Sequence, residues 1–170
     1  MPNWCEGSMK LRGKPENILK FIKEGLDLYC GDDATLVDKS LWLNLVEGSD
    51  YAQIDFINRN IPPYESIHIN GTNRAFIRSD ERNCIYFRTN QDSVTVVFAI
   101  KQAWGYRPEE FRKIAQKYQV DIRLYGIECG GGFVEEYEIL DNGESFTDLS
   151  PVYSTYDEYE WKCPFPWIGG

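Results

Sequence analysis

Apolar positions along the chain alternate between a period of two and a period near 3.6, and each change of period marks an expected element. Gly7 to Arg12 place Met9 and Leu11 on one face of a short strand, and Gly13 supplies a turn. In KPENILKFIKEGL, Ile18, Phe21, Ile22 and Gly25 fall at i, i+3, i+4 and i+7, with Lys20, Lys23 and Glu24 turned outward. This spacing predicts an amphipathic helix laid on a sheet. Pro15 suits its first position, where a missing N–H costs nothing, and Glu16 complements the positive helix start.

The same grammar returns later in the chain. SVTVVFAI is β-branched and almost continuously apolar, as a central strand requires. It leads into KQAWGYRPEEFRKIAQKYQ, where Pro108 opens a helix and Glu109 and Glu110 occupy its first turn. Phe111, Ile114, Ala115 and Tyr118 repeat the apolar stripe, and Lys113 and Lys117 lie late, where cations are favoured. VDIRLYGIE and FVEEYEIL read as strands around the run Gly130 to Gly132, and Asp141, Asn142 and Gly143 mark the next turn.

Two strand-then-helix units predict an α+β fold of ferredoxin-like βαββαβ plan, both helices on one face of a mostly antiparallel sheet. Its core is expected over about residues 7–143 of a single domain. An acidic, aromatic tail over 144–170 is expected to pack on the core or on a partner. Between residues 27 and 90, LWLNLVEG predicts a strand or short helix near 41–47, and Pro62-Pro63 breaks the chain. SIHING, RAFIRS and CIYFRTN predict a meander over 65–89 that supplies the middle of the sheet. Pro164 and Pro166 exclude regular structure at the end of the tail.

A chain of 170 residues with 42% apolar and 15% aromatic residues is composed like one packed domain. No basic segment followed by an apolar run opens it, and nothing approaches the roughly 20 apolar residues of a membrane span, so the expected location is cytoplasmic. Five cysteines, Cys5, Cys30, Cys84, Cys129 and Cys163, contain no CxxC pair, and reduced, mostly buried thiols are expected. Charge is distributed unevenly. Between Arg123 and Lys162 there are ten acids and no base, while 17 acids face 18 bases elsewhere, so the net charge of −9 resides in the last quarter of the chain. That field repels a phosphate backbone and attracts basic surfaces, which argues against direct binding of DNA or RNA.

The start MPNWC, the stretch VVFAIKQAWGYRPEEFRKIAQKY and the stretch RLYGIECGGGFVEEYEI together resemble the YubB-like ferredoxin-like domain family of plasmids, phages and other mobile elements. Ala103 and Trp104 match its aromatic Ala-Trp turn, and Glu128, Gly130, Gly132 and Phe133 its Glu-x-Gly-x-Gly-Phe stretch. The resemblance covers residues 1–26 and 93–143. The chain departs from it at Glu6, usually Asn, and at Gly105 and Tyr106, where Pro-Pro is common. The resemblance implies a ferredoxin-like fold and a mobile-element origin, and carries no biochemical activity with it.

No catalytic constellation accompanies the lone His68, whose conceivable partners are Cys84 and Ser66. The three glycines are followed by acidic FVEEYE instead of a helix, so a hairpin turn is expected there and not a phosphate cradle. Asp32 and Asp33 are adjacent and match no calcium loop, so no metal or cofactor is expected. Glu135, Glu136 and Glu138 cannot share one strand face and are expected to form a rim on the sheet edge. Trp4 and Trp104 are expected to cap the junction of sheet and helix.

The pattern points to a non-enzymatic accessory protein that binds a basic protein partner. The candidate contact residues are Glu135, Glu136, Glu138, Asp157, Glu158, Glu160, Trp161 and Trp167. The partner would itself handle nucleic acid, as a target of an anti-CRISPR or anti-restriction inhibitor does. The alternative is a small-molecule or nucleotide binder or enzyme, with a pocket near Trp4, Trp104 and Glu128. Oligomeric state is left open.

Overall fold

The computed structural model describes residues 3–30, 35–56, 67–78 and 84–169. The elements run β1 (Trp4–Gly13), α1 (Pro15–Glu24), β2 (Leu26–Cys30), β3 (Thr35–Leu36), β4 (Leu43–Glu47), β5 (Tyr51–Phe56), β6 (Ile67–Ile69), β7 (Ala75–Ile77) and β8 (Cys84–Arg88). They continue with β9 (Val94–Ala103), α2 (Pro108–Tyr118), β10 (Asp121–Glu128), β11 (Phe133–Leu140), β12 (Ser145–Asp148) and α3 (Tyr156–Lys162). The fold is α+β, with antiparallel sheets and three helices among the described residues.

The large sheet has the order β12-β11-β10-β1-β9-β7-β6-β2-β3. β1 lies between β9 and β10, paired Met9 to Phe98 on one side and Met9 to Leu124 on the other. Both long helices begin with Pro at the first turn and bury the predicted stripes, Ile18, Phe21 and Ile22 on α1, and Phe111, Ile114, Ala115 and Tyr118 on α2. Phe21 meets Tyr118 edge to face at 5.3 Å and Phe98 at 6.1 Å, which puts both helices on the same sheet face. Burying such aromatic side chains provides about 1.5–3 kcal/mol each.

A second sheet, β4-β5-β8, packs toward that same core: Trp42 stacks on Phe56 at 6.3 Å, and Phe56 lies 6.3 Å from Phe98. The expected meander is therefore divided. β6 and β7 enter the middle of the large sheet, whereas β8 pairs with β5, Ala52 opposite Phe87 and Ile54 opposite Ile85. The alternation of β8 fits either sheet, and only the long-range pairing decides between them. Residues 65 and 66 and the Pro-Pro break lie outside the described residues.

One further expectation is corrected. β11 is not the sheet edge, because β12 pairs outside it from Tyr137↔Asp148 to Leu140↔Ser145. All four residues of β12 are exposed, so its sequence carries no alternation to read. The tail contains α3, which ends at Lys162 with Cys163 as its C-cap, so the stretch around Pro164 and Pro166 carries no helix or strand, as expected. Its start is a capping box: Thr155 accepts from the Glu158 N–H at 3.1 Å, and the Glu158 carboxylate accepts from Ser154 N–H at 2.7 Å.

The tail lies on the sheet face opposite the helices. Tyr159 and Cys163 are buried there with Ile127 and Val134, which alternate with the helix-facing Leu124. No helix of the described residues is long and apolar enough to cross a membrane.

Candidate functional site

Two surfaces concentrate exposed aromatic and charged side chains. The first is the tail. Trp161 is 88% and Trp167 72% exposed, with Val152, Tyr156 and Phe165 also at the surface. Asp157 and Glu160 are exposed and form no ion pair among the described residues. Glu158 is occupied, since it holds the helix start and accepts from Lys162 in an i,i+4 pair.

The strand acids are occupied too. Glu136 and Glu138 both pair with Arg123, the latter at 3.2 Å, across the β10–β11 ladder. Glu135 alternates to the helix side, where it accepts from Tyr106 N–H at 2.6 Å and lies 3.6 Å from Cys5 Sγ and 3.3 Å from the Tyr137 hydroxyl. The three glutamates therefore form no common rim. Of the eight candidate contact residues, Asp157, Glu160, Trp161 and Trp167 are the ones with uncommitted, exposed side chains.

The second surface surrounds the two tryptophans at the ends of β1 and β9. The Arg74 guanidinium stands between them, 5.5 Å from the Trp4 ring and 5.2 Å from that of Trp104. Lys101 Nζ lies 5.0 Å from Trp4. Trp104 is 60% exposed and does not cap the junction of sheet and helix. Its backbone is the reason: with φ of +63° it turns the side chain out of the strand plane, and Arg74, at +60°, does the same from the opposite turn. Left-handed conformations at such residues cost on the order of 1–3 kcal/mol and persist only where the surroundings impose them.

Two buried networks impose them here. Gln102, fully buried, donates to Asn73 O at 3.2 Å and to the Glu110 carboxylate at 3.0 Å, and accepts from Arg107 N–H. Glu110 also accepts from Asn73 N–H, which fixes the turn carrying Arg74. On the other side Trp104 N–H donates to Asn3 O at 2.8 Å, and Glu135 holds Tyr106 N–H. Gly105 between them has φ of +108°, and a Cβ there would stand 2.9 Å from the Glu135 carboxylate.

Glu128 belongs to neither surface. Its carboxylate accepts from the N–H groups of Gly130 and Gly131 and so builds the glycine turn, on the sheet side opposite Trp4. The structure thus brings Trp4 and Trp104 together and leaves Glu128 apart.

Nothing in the chain matches a known protein-family model, a curated protein or a solved structure.

The remaining candidate chemistry is structural. His68 is held between Asn70 Oδ1 at 3.4 Å and Thr72 O at 3.2 Å, while Cys84 sits on the other sheet and Ser66 outside the described residues. Burial, reinforced by Glu135, pushes the Cys5 thiol far up, so it is not a thiolate nucleophile. Cys163 is also buried, Cys129 half-buried and Cys84 exposed. Asp32 and Asp33 lie outside the described residues, and no group of three or more potential metal ligands forms among the described ones.

Burial raises the Glu135 carboxyl above its ordinary 4.5. A raised carboxyl in the folded state binds its proton more tightly than in the unfolded chain, so this group's stabilisation is lost as pH rises from 4.5 through the folded value. Glu135→Gln, which keeps an acceptor for Tyr106, is expected to gain on the parent protein over that window. Urea midpoints measured from pH 4 to pH 8 in about half-unit steps check this. A constant gap between the two proteins contradicts it.

Proposed function

We propose that this protein is a non-enzymatic binding protein whose C-terminal face engages a basic protein partner. The observation that carries the reading is that Trp161 and Trp167 stand exposed on the same tail as Asp157 and Glu160, which no cation of the described residues neutralises. Exposed tryptophans are the side chains that most often anchor protein interfaces, and uncommitted carboxylates around them steer a basic partner and fix its register. The net charge of −9 extends that steering beyond contact range.

We further read the core as a ferredoxin-like βαββαβ arrangement. The order β10-β1-β9, with α1 after β1 and α2 after β9 on one face, supports it, and β6 and β7 then stand as a hairpin inserted between β9 and β2. The resemblance to YubB-like proteins supports the same plan and an origin on mobile elements. A basic partner in that setting is a nucleic-acid-binding enzyme, and an anti-CRISPR or anti-restriction inhibitor is one concrete form of the proposal.

The test uses the full chain bearing a photo-crosslinking amino acid at position 161, expressed in the host cell. Crosslinks to proteins with a basic surface are expected, and they should disappear in Asp157→Lys/Glu160→Lys. Truncating an anchoring tryptophan typically costs 2 kcal/mol or more of binding, so Trp167→Ala should weaken the isolated complex by roughly thirtyfold. Crosslinks that persist through charge reversal contradict the proposal.

A further inference from the structure

Opposite the helices, the part of the large sheet beyond the tail carries a row of rings. Trp4 on β1, Phe76 on β7, His68 on β6 and Tyr29 on β2 follow one another at centroid distances of 6.0, 5.5 and 6.2 Å. Trp104 extends the row past the Arg74 guanidinium.

We propose that this row is a platform for the unpaired bases of a single-stranded nucleic acid. The inference stands independently of the protein partner, because none of the row residues belongs to the proposed partner surface.

Charge complementarity selects this occupant. The chain as a whole is strongly acidic, but its excess acids lie between Arg123 and Lys162. At the row the sign reverses. Arg74 and Lys101 form no ion pair among the described residues and are held by aromatic faces instead. Among the described residues, the other charges at its margins, Lys39 with Asp27 at 3.2 Å and Arg78 with Glu6 at 2.8 Å, occur as opposed pairs. A basic protein would be repelled by these two cations, which no carboxylate of the described residues neutralises, whereas phosphates are attracted to them.

Ring geometry narrows the occupant to an unpaired strand. Steps of 5.5 to 6.2 Å exceed the roughly 3.4 Å rise per base of a stacked duplex strand. Neighbouring rings are also tilted by 62 to 69°, so no continuous base stack can pass over them. Splayed bases taken one per ring are the form in which sheet surfaces with exposed aromatics read single strands. The row is also preorganised. Gln102 and Glu110 fix the Arg74 turn, Glu135 fixes the Trp104 turn, and His68 Nε2 lies 3.2 Å from Thr72 O.

Fluorescein-labelled oligothymidylate and oligouridylate of about 12 nucleotides, within the usual span of such platforms, are titrated with the full chain and followed by anisotropy. Binding of single strands but not of a duplex of the same length is expected. Two phosphate contacts predict affinity falling roughly sevenfold between about 50 and 200 mM salt. Arg74→Ala/Lys101→Ala should flatten that dependence, and Phe76→Ala or Trp104→Ala should each weaken binding about tenfold with an unchanged melting temperature. Trp161→Ala on the tail should bind like the parent. The proposal is overturned if neither oligonucleotide binds, if the duplex binds as tightly, if the three row variants bind like the parent, or if polyglutamate binds in place of the oligonucleotides.

Discussion

Tyr159→Ala is expected to release the C-terminal tail from the sheet. The ring is fully buried, 5.6 Å from the Tyr153 ring and 5.5 Å from that of Tyr156, and its hydroxyl donates to Pro166 O at 3.2 Å. Truncating a buried aromatic residue costs about 3–5 kcal/mol. The buried cluster under the tail is small, Tyr159 with Ile127, Val134 and Cys163, and separate from the main core. The loss therefore falls on the tail first. Hydrogen exchange checks it: amides of α3 should lose protection while those of β1 and β9 keep theirs. Tyr159→Phe keeps the ring and removes the hydroxyl with its bond to Pro166 O, and should cost about 1 kcal/mol. Unchanged protection of α3 in Tyr159→Ala would mean that other contacts hold the tail.

Gly105→Ala is the second large effect. At φ of +108° the backbone is in a region open to glycine, and the added methyl would approach the Glu135 carboxylate to 2.9 Å. Relieving either conflict moves the turn or breaks the Glu135 bond to Tyr106 N–H. About 1–3 kcal/mol of stability should be lost. Trp104 should shift as well, because the turn positions it, and its fluorescence emission should change along with the melting temperature. A stable variant with parental fluorescence would place the constraint on Trp104 elsewhere.

These residues also mark what a sequence can and cannot disclose. α1 and α2 are readable because their determinants are local: Pro15 or Pro108 at the first turn, an acid beside it, and four apolar residues on one stripe. α3 carries a local determinant as well, the Thr155 to Glu158 spacing of a capping box, and it ends before the prolines that follow it. Strand partners are different. Nothing within CIYFR says that it joins β5 and not the large sheet, and nothing within SFTD marks an edge strand. Trp4 and Trp104 stand out as candidates by residue type alone. Arg74 does not, because its place between them depends on the β6–β7 hairpin pairing beside β9, about 25 residues away in the chain, a contact that only tertiary structure creates. The acidic residues illustrate the reverse. Counting them locates the charge correctly but overstates the free surface, since Glu135, Glu136, Glu138 and Glu158 are each engaged within the fold.

Asp157, Glu160, Trp161 and Trp167 form the proposed surface for a basic protein. The most direct measurement is the quantitative comparison, by mass spectrometry, of proteins crosslinked through position 161 in the parent and in Asp157→Lys/Glu160→Lys. A basic protein captured by the parent and depleted at least tenfold in the variant is the predicted result, corresponding to about 1.4 kcal/mol of lost binding. Equal capture by both, or capture of acidic proteins only, would contradict the account.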